Sequence, residues 1–480
     1  MELAELVRLY AEADASCRYQ RVALALENGI RQGLAQPGTA LPTQRALAEA
    51  LGLTVGTVTH GYAEASKSGL ISSVVGRGTF VSSSRPDVDV LPPPSPLDEA
   101  AAEKRGEASW SRSSSGNETA FRNLGFIAPF EWLNPSLPDA LERLQKRLDF
   151  RFLSQLQSYH RPAGMERHRE AGAVWARRYG IPVSPDSLLI CAGSQHALMT
   201  LLTSLCSPGD RIAAEPLSYP LLRQLAWRLR LNLASIRSDA CGMLPDALDS
   251  ACRSGGVRAV YLMPSCRNPT LTRMPEKRRR DLVEVCRRHN VLIIEDDVYA
   301  LAVEAGTPAP TFFSLAPERT CAIAATSEIL GGGLRVAYLC PPDHFLEELE
   351  HTISYTISMV PPLMAELASQ WILDGTADSV LKAKREEAAV RNAMVRSVFD
   401  GWPVVSRTTG FFCWLPLPEA WTGIRFADAA KSAGVLVAEG EHFLAGHALQ
   451  EYGVRIALGG LDRRDDLDEA LRILAGLLEG

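Results

Sequence analysis

Up to residue 82 the apolar positions recur mostly at helical spacing. Glu2 to Ala13 alternates apolar and polar in this way, and Tyr19 to Gly33 puts Val22, Leu24, Ala25, Leu26 and Ile30 on one face. Leu41 to Gly52 predicts a short helix, with Thr43 as its N-cap and Gly52 just past its end. A second short helix begins within Leu53–Tyr62 after a tight turn, which makes a helix-turn-helix unit. Ile71 to Val81 predicts two strands around a glycine turn. The pattern then breaks. Residues 83–119 are rich in Pro, Ser and charge and cannot bury enough apolar surface to fold alone. The run Leu91-Pro92-Pro93-Pro94-Ser95-Pro96 predicts a stiff, extended segment, and Ser111 to Ser115 a loose one. This stretch reads as a tether between a head, 1–82, and a body, 120–480.

From about residue 137 to 340 helical and strand patterns alternate, as an α/β fold with a parallel sheet requires. Buried strands are predicted at Leu188–Ala192, Arg211–Glu215, Ala259–Met263, Val291–Tyr299 and Cys321–Ala325. A loop of unusual composition follows each, in the position where open α/β sheets bind ligands. From about 360 onward a smaller C-terminal part is expected, with strands at Gly410–Leu415 and Val454–Ala457.

Composition narrows the class. The 480 residues are 46% hydrophobic and 22% charged, as in ordinary globular chains of two or three domains. No uncharged apolar run reaches about 18 residues, and the acidic start Met1-Glu2-Leu3-Ala4-Glu5 is not a signal peptide, so a cytoplasmic protein with no membrane partner is expected. Ten cysteines stand singly, with no metal-binding cluster, which predicts reduced thiols and no metal. The net charge of −6 means that any nucleic-acid contact must come from a local patch.

Leu41-Pro42, Arg45, Leu47-Ala48, Leu51-Gly52, Thr57-Val58, Tyr62, Gly69 and Gly76-Arg77-Gly78-Thr79-Phe80-Val81 together resemble the GntR-family winged helix. The resemblance implies a helix from Thr54 in the major groove and a wing tip on the minor groove or backbone. Arg45, Thr54, Gly56, Thr57 and Thr59 would then face operator DNA, with Gly76 and Arg77 at the wing. Val55 and Thr59 stand where related regulators often carry Arg, so weak non-specific binding and reliance on dimerisation are expected.

The loops of the body, in order and spacing, resemble the fold-type I aminotransferases, with a large and a small domain. Joined to such a head, the layout resembles the MocR-type regulators. The resemblance implies a pyridoxal phosphate site at a homodimer interface. Gly193, Ser194 and Gln195 match the phosphate loop, and Ser327 and Arg335 complete the anion cup. Tyr219 matches the ring-stacking aromatic, Asn268 and Tyr299 the partners of the ring hydroxyl, and Asp296 the carboxylate on the ring nitrogen. Arg455 matches the arginine that takes a ligand carboxylate. Taken singly, Asp296-Asp297 also reads as a strand-end cap, and Arg455 as half of a structural ion pair.

The family's Schiff-base lysine is replaced. In Ala325-Thr326-Ser327-Glu328-Ile329-Leu330-Gly331-Gly332-Gly333-Leu334-Arg335 that position is Glu328, and 321–340 contains no lysine. A carboxylate cannot form an imine, so no catalytic residue is expected and a transaminase is disfavoured. Unless protonated or paired, Glu328 opposes an anion in the cup, and a salt bridge to Arg335 or Arg267 is the expected remedy. Two further departures are Arg267 and Leu271, the latter where the family has a glycine. The expectation is a DNA-binding regulator whose body senses a small-molecule effector. That effector is either pyridoxal or pyridoxamine phosphate (or an amino-acid adduct) held without a covalent bond, or something else on a cofactor-free scaffold. An aminotransferase-like enzyme is the competing class.

Overall fold

The computed structural model describes Val7, Tyr10 and residues 18–31, 39–67, 70–74, 78–81, 88–91, 121–147, 150–303, 309–446 and 452–479. The chain divides into two units, Met1–Val90 and Leu91–Gly480. Most of the first predicted helix, the wing-tip residues Gly76 and Arg77, and most of the tether lie outside the described residues.

In the head, helix α1 (Arg18–Arg31), α2 (Gln44–Leu51) and α3 (Val55–Lys67) precede the hairpin β1 (Ile71–Val74) and β2 (Gly78–Val81). Thr43 caps α2 by accepting from the Ala46 N–H, and Gly52 ends it at φ 62°, a conformation cheap only for glycine. Val22, Leu26, Leu47, Val58, Tyr62, Ile71 and Val81 close one core. The Tyr62 hydroxyl donates to the Pro42 carbonyl at 2.7 Å and locks the turn into α2. Helices α1 and α3 approach closely at Gly61, where an added Cβ would stand 2.7 Å from Val22 Cβ. Gly61→Ala gains helix propensity but forces these helices apart. The net expectation is a head destabilised by about 1–2 kcal/mol, read as a lower denaturant midpoint for its unfolding transition.

The body's central sheet uses β3 (Leu189–Cys191), β4 (Arg211–Ala214), β5 (Asn232–Ile236), β6 (Val257–Leu262), β7 (Leu292–Glu295), β8 (Thr320–Ala325) and β9 (Ala337–Cys340). Their spatial order is β5-β4-β6-β7-β8-β9-β3. Among these seven strands only β9 runs antiparallel, to β8 on one side and β3 on the other. The strand predicted over Val291–Tyr299 is shorter, because the chain leaves the sheet at Glu295 and turns through Asp296 and Asp297. Strands β5 and β9 had no counterpart among the predicted ones.

The C-terminal lobe has its own sheet, β10 (Phe412–Pro416), β11 (Ala438–Glu439) and β12 (Gly453–Ala457), in the order β10-β12-β11. Its core gathers Val395, Phe399, Cys413, Leu415, Phe426, Ile456, Leu467 and Leu474. Residues 121–125 belong with this lobe, since Arg122–Asn123 pairs in parallel with Val435–Leu436 and the Ala457 N–H donates to the Leu124 carbonyl at 2.8 Å. A long helix, Thr376–Val398, carries Arg391, which donates to the Leu458, Leu461 and Asp462 carbonyls. Among the described residues no helix is long and apolar enough to cross a membrane, no group of acidic, His and Cys side chains could hold a metal ion, and every cysteine is a free thiol.

Candidate functional site

The expected body residues sit in the loops after β3, β4, β6, β7 and β8 or on β12, with Arg335 two residues ahead of β9. After β3, Gly193 adopts φ 84° and opens the helix Ser194–Leu205, which starts without a side-chain cap. Such a start leaves backbone N–H groups for an anion. A Cβ on Gly193 would lie 2.4 Å from Nη2 of Arg335, so only glycine lets that guanidinium cross the loop. Arg335 itself stands at φ 52° and donates to the Ala192 carbonyl at 3.2 Å. Gln195 Nε2 donates to the Tyr219 hydroxyl at 3.1 Å and ties the first loop to the second.

Asp296, at the end of β7, is buried. Its Oδ2 accepts from the Tyr261 hydroxyl at 2.7 Å, and its Oδ1 is buried with no hydrogen-bond partner. Burial pushes its carboxyl up to about 7, against the pull of the Tyr261 hydrogen bond. Tyr299, one turn on, packs edge-on against Phe412 from the C-terminal lobe, with ring centroids 5.1 Å apart. Asn268 lies in the loop after β6. Its Oδ1 accepts from Arg455 Nη1 at 3.0 Å, so the two expected ligand contacts are bonded to each other. Arg455 Nη2 donates to the Gly125 carbonyl at 2.5 Å, and its Nε is buried without a partner. The fork expected for a ligand carboxylate is thus already engaged, because Asn268 and the 121–125 segment both close on β12.

After β8 the Ser327 hydroxyl meets Glu328 Oε1 at 3.3 Å, while Glu328 Oε2 is buried and unpartnered. Burial raises the Glu328 carboxyl to about 7, opposed first by Lys384 and then by Ser327 and Arg455. Among the described residues Glu328 makes no ion pair with Arg335 or Arg267. Arg267 is buried and pairs with Glu215 at 2.5 Å, so it is neither solvated nor an anion contact. Arg335 places one N–H of each terminal nitrogen on a backbone carbonyl, Gly332 at 3.4 Å and Ala192 at 3.2 Å, and the structure gives it no bond to Glu328. Leu271 takes the left-handed conformation of the glycine it replaces, φ 55°. The loop keeps its shape because the Leu271 N–H donates to Arg267 O at 2.7 Å and its carbonyl accepts from Arg407.

Sequence reasoning missed the nearest cation. Lys384, from the long helix, is 1% exposed and donates to Asn134 Oδ1 at 2.8 Å and to the Glu328 backbone carbonyl at 3.1 Å. Burial holds its amine down at about 8, with Glu328 pulling it back up. It also missed Tyr261, and Trp175 and Tyr179, which both donate to the Ala325 carbonyl just before the cup.

In the head, Arg45, Thr54, Gly56 and Thr59 are exposed and Thr57 is half-buried. Thr54 and Thr57 share a hydrogen bond at 2.8 Å. The Thr59 hydroxyl donates to Gln44 Oε1 at 2.8 Å, which links α3 to the start of α2 on the same surface. Gln44 was not among the expected residues.

The model of aminotransferases of class I and II matches residues 128–474, and that of the bacterial regulatory proteins of the gntR family matches 18–81. The HTH-type transcriptional regulator YdeF of Bacillus subtilis is 31% identical over 461 residues, covering 96% of this chain and 94% of the relative. The HTH-type pyridoxine biosynthesis transcriptional regulator PdxR of Corynebacterium glutamicum is 28% identical, over 65% of this chain and 63% of its own. Among solved structures, the kynurenine aminotransferase of Pyrococcus horikoshii superposes with a TM-score of 0.69 at 21% identity, over 80% of this chain and 99% of that one. That likeness is one of fold.

Proposed function

Since the chain belongs to the MocR-type regulators, a gntR-family winged helix joined to an aminotransferase class I and II domain, we propose that it is a cytoplasmic, homodimeric, operator-binding regulator whose body senses a form of vitamin B6 without covalent attachment and does not transaminate. The observation that carries this reading is the buried, unpartnered Oδ1 of Asp296. An orphaned buried carboxylate oxygen is costly, and the charged N–H of a pyridinium ring would satisfy it. The other residues fit the same group. Tyr219 would stack on the ring, and Asn268 and Tyr299 would meet its hydroxyl. Ser327, Arg335 and the N–H groups of Ser194 and Gln195 would hold its phosphate, with Gly193 leaving room. When bound, the cofactor would supply an electron-withdrawing ring.

Glu328 can hold or move a proton but cannot make the covalent link. Lys384 carries an amine, yet its hydrogen bonds run to Asn134 and to the backbone of residue 328. Dimerisation would place two α3 helices on paired half-sites. A ligand regulates only if it binds one arrangement of the dimer better than another. The alternative of a cofactor-free scaffold draws on Arg455, whose fork is already engaged.

The deciding measurement is the absorbance spectrum of the purified protein with pyridoxal or pyridoxamine phosphate, before and after dialysis, alongside a footprint on DNA selected from genomic fragments. Reversible binding with a footprint supports the regulator. Amino-acid turnover with no footprint overturns it, and a footprint with no binding favours the scaffold. On the selected operator, Arg45→Ala should weaken binding about tenfold or more, measured by titration at fixed salt.

A further inference from the structure

The cup holds a mismatch of charge that the phosphate-binding residues do not address. Two carboxylate oxygens there, Asp296 Oδ1 and Glu328 Oε2, are buried without a hydrogen-bond partner among the described residues. Their residues follow the adjacent parallel strands β7 and β8, and the Asp296 carboxylate adds to the upward push on Glu328. The nearby cations do not relieve Glu328 directly. Lys384 bonds its backbone carbonyl rather than its side chain, and Arg455 gives its terminal nitrogens to Asn268 and Gly125. Ser327 reaches only Oε1, at 3.3 Å.

A ligand that satisfies both oxygens must bring two positively charged donors on one small frame, and an anion for Arg335. Among the forms of vitamin B6 only one does so. Its ring nitrogen supplies the first donor, and an aminomethyl group across the ring the second. The aldehyde form would turn a lone pair toward the Glu328 carboxylate, and the alcohol form offers only a neutral donor. A hydrogen bond in which both partners are ionised is much the stronger. We propose that Glu328 is the counter-ion of the ligand's charged aminomethyl group, so that the body selects pyridoxamine phosphate over the aldehyde and the alcohol. This rests on the reading above, that a B6 form is held without a covalent bond, and it turns the loss of the family's lysine into a preference.

The test is calorimetric titration of the full chain with pyridoxamine phosphate and with pyridoxine phosphate, the alcohol, which cannot react with surface lysines as the aldehyde does. The amine should bind about tenfold or more tighter than the alcohol. In Glu328→Gln that margin should collapse while the affinity for the alcohol holds within about threefold. Equal affinity of the native chain for the two ligands, or preference for the alcohol, overturns the proposal while leaving the B6 site standing. An undiminished margin in a folded Glu328→Gln protein overturns it as well. Absence of binding by both ligands withdraws this proposal together with the reading it rests on. The native comparison alone decides the matter if the variant does not fold.

Discussion

Replacing Trp175 by alanine should lower the unfolding free energy of the body by about 3–5 kcal/mol, read as a shift of its denaturant midpoint. The indole is 0% exposed and sits in the main core beside Tyr179 and Ala176. Removing it deletes a large apolar volume from a wall that cannot collapse freely, because the opposite side is the end of β8. The indole Nε1 also donates to the Ala325 carbonyl at 2.9 Å, and the Tyr179 hydroxyl donates to the same oxygen at 2.8 Å. Ala325 is the last sheet residue before Ser327 and Glu328, so the tryptophan fixes where the cup begins. Trp175→Phe separates the two contributions. It keeps much of the packing but loses the N–H, and should cost less than the alanine variant while leaving Tyr179 as the only one of the two donors.

Glu328→Gln should stabilise the body by about 2–3 kcal/mol at pH 8 and by almost nothing at pH 4. Burial raises the carboxyl from 4.5 to about 7 in the folded protein. The folded state therefore holds a proton that the unfolded state has released between these two values. The stability this group contributes is fully present below about 4.5 and is lost as the pH rises through about 7. A shift of this size corresponds to roughly 3 kcal/mol, and a buried amide left partly unsatisfied takes back some of the gain. Asp296 and Glu295, each raised to about 7 chiefly by burial, remain in the variant, so its stability still declines over the same window, only less steeply. Lys384 acts in the opposite sense and at higher pH. Its amine is lowered to about 8, so its contribution to stability grows only above that value. Denaturant melts at half-unit intervals from pH 4 to pH 8 isolate the carboxylate effect. Parallel curves for native and variant would show that Glu328 is ionised throughout.

The sequence displayed what the backbone must do locally and little of what distant side chains do to one another. Gly52, Thr43 and the strand-ending loops were readable because each has a conformational reason that needs no partner. Strand β5 was not, since Asn232 follows Arg230-Leu231 without a breaker in the pattern. Strand β9 begins two residues after Arg335 and runs antiparallel to its neighbours, so it falls outside the alternation of helix and parallel strand that marks the others. The remedies for misplaced charge were invisible for the same reason. Glu215 meets Arg267 across 52 residues, and Lys384 reaches Asn134 across 250. In the sequence Lys384 stands among alternating charges and looks like a solvated helix position. The expectation that Arg335 or Arg267 would answer Glu328 failed because Arg267 is paired with Glu215 and Arg335 lies across the Ala192 and Gly332 carbonyls.

The attachment of residues 121–125 to the C-terminal lobe has a consequence for synthesis. Gly125 bonds to Arg455 across 330 positions, and Arg122 pairs with Val435. A ribosome releases the first partner of each pair long before the second exists. The nascent body therefore carries an unmatched edge through most of its translation, while the parallel sheet between is free to assemble. Closure of the C-terminal lobe waits for the last tenth of the chain. Such long-range pairing slows folding and prolongs exposure to chaperones and proteases. A transcript truncated after codon 340 but before codon 435 yields a chain that holds the strands of its central sheet but can never retire its own beginning.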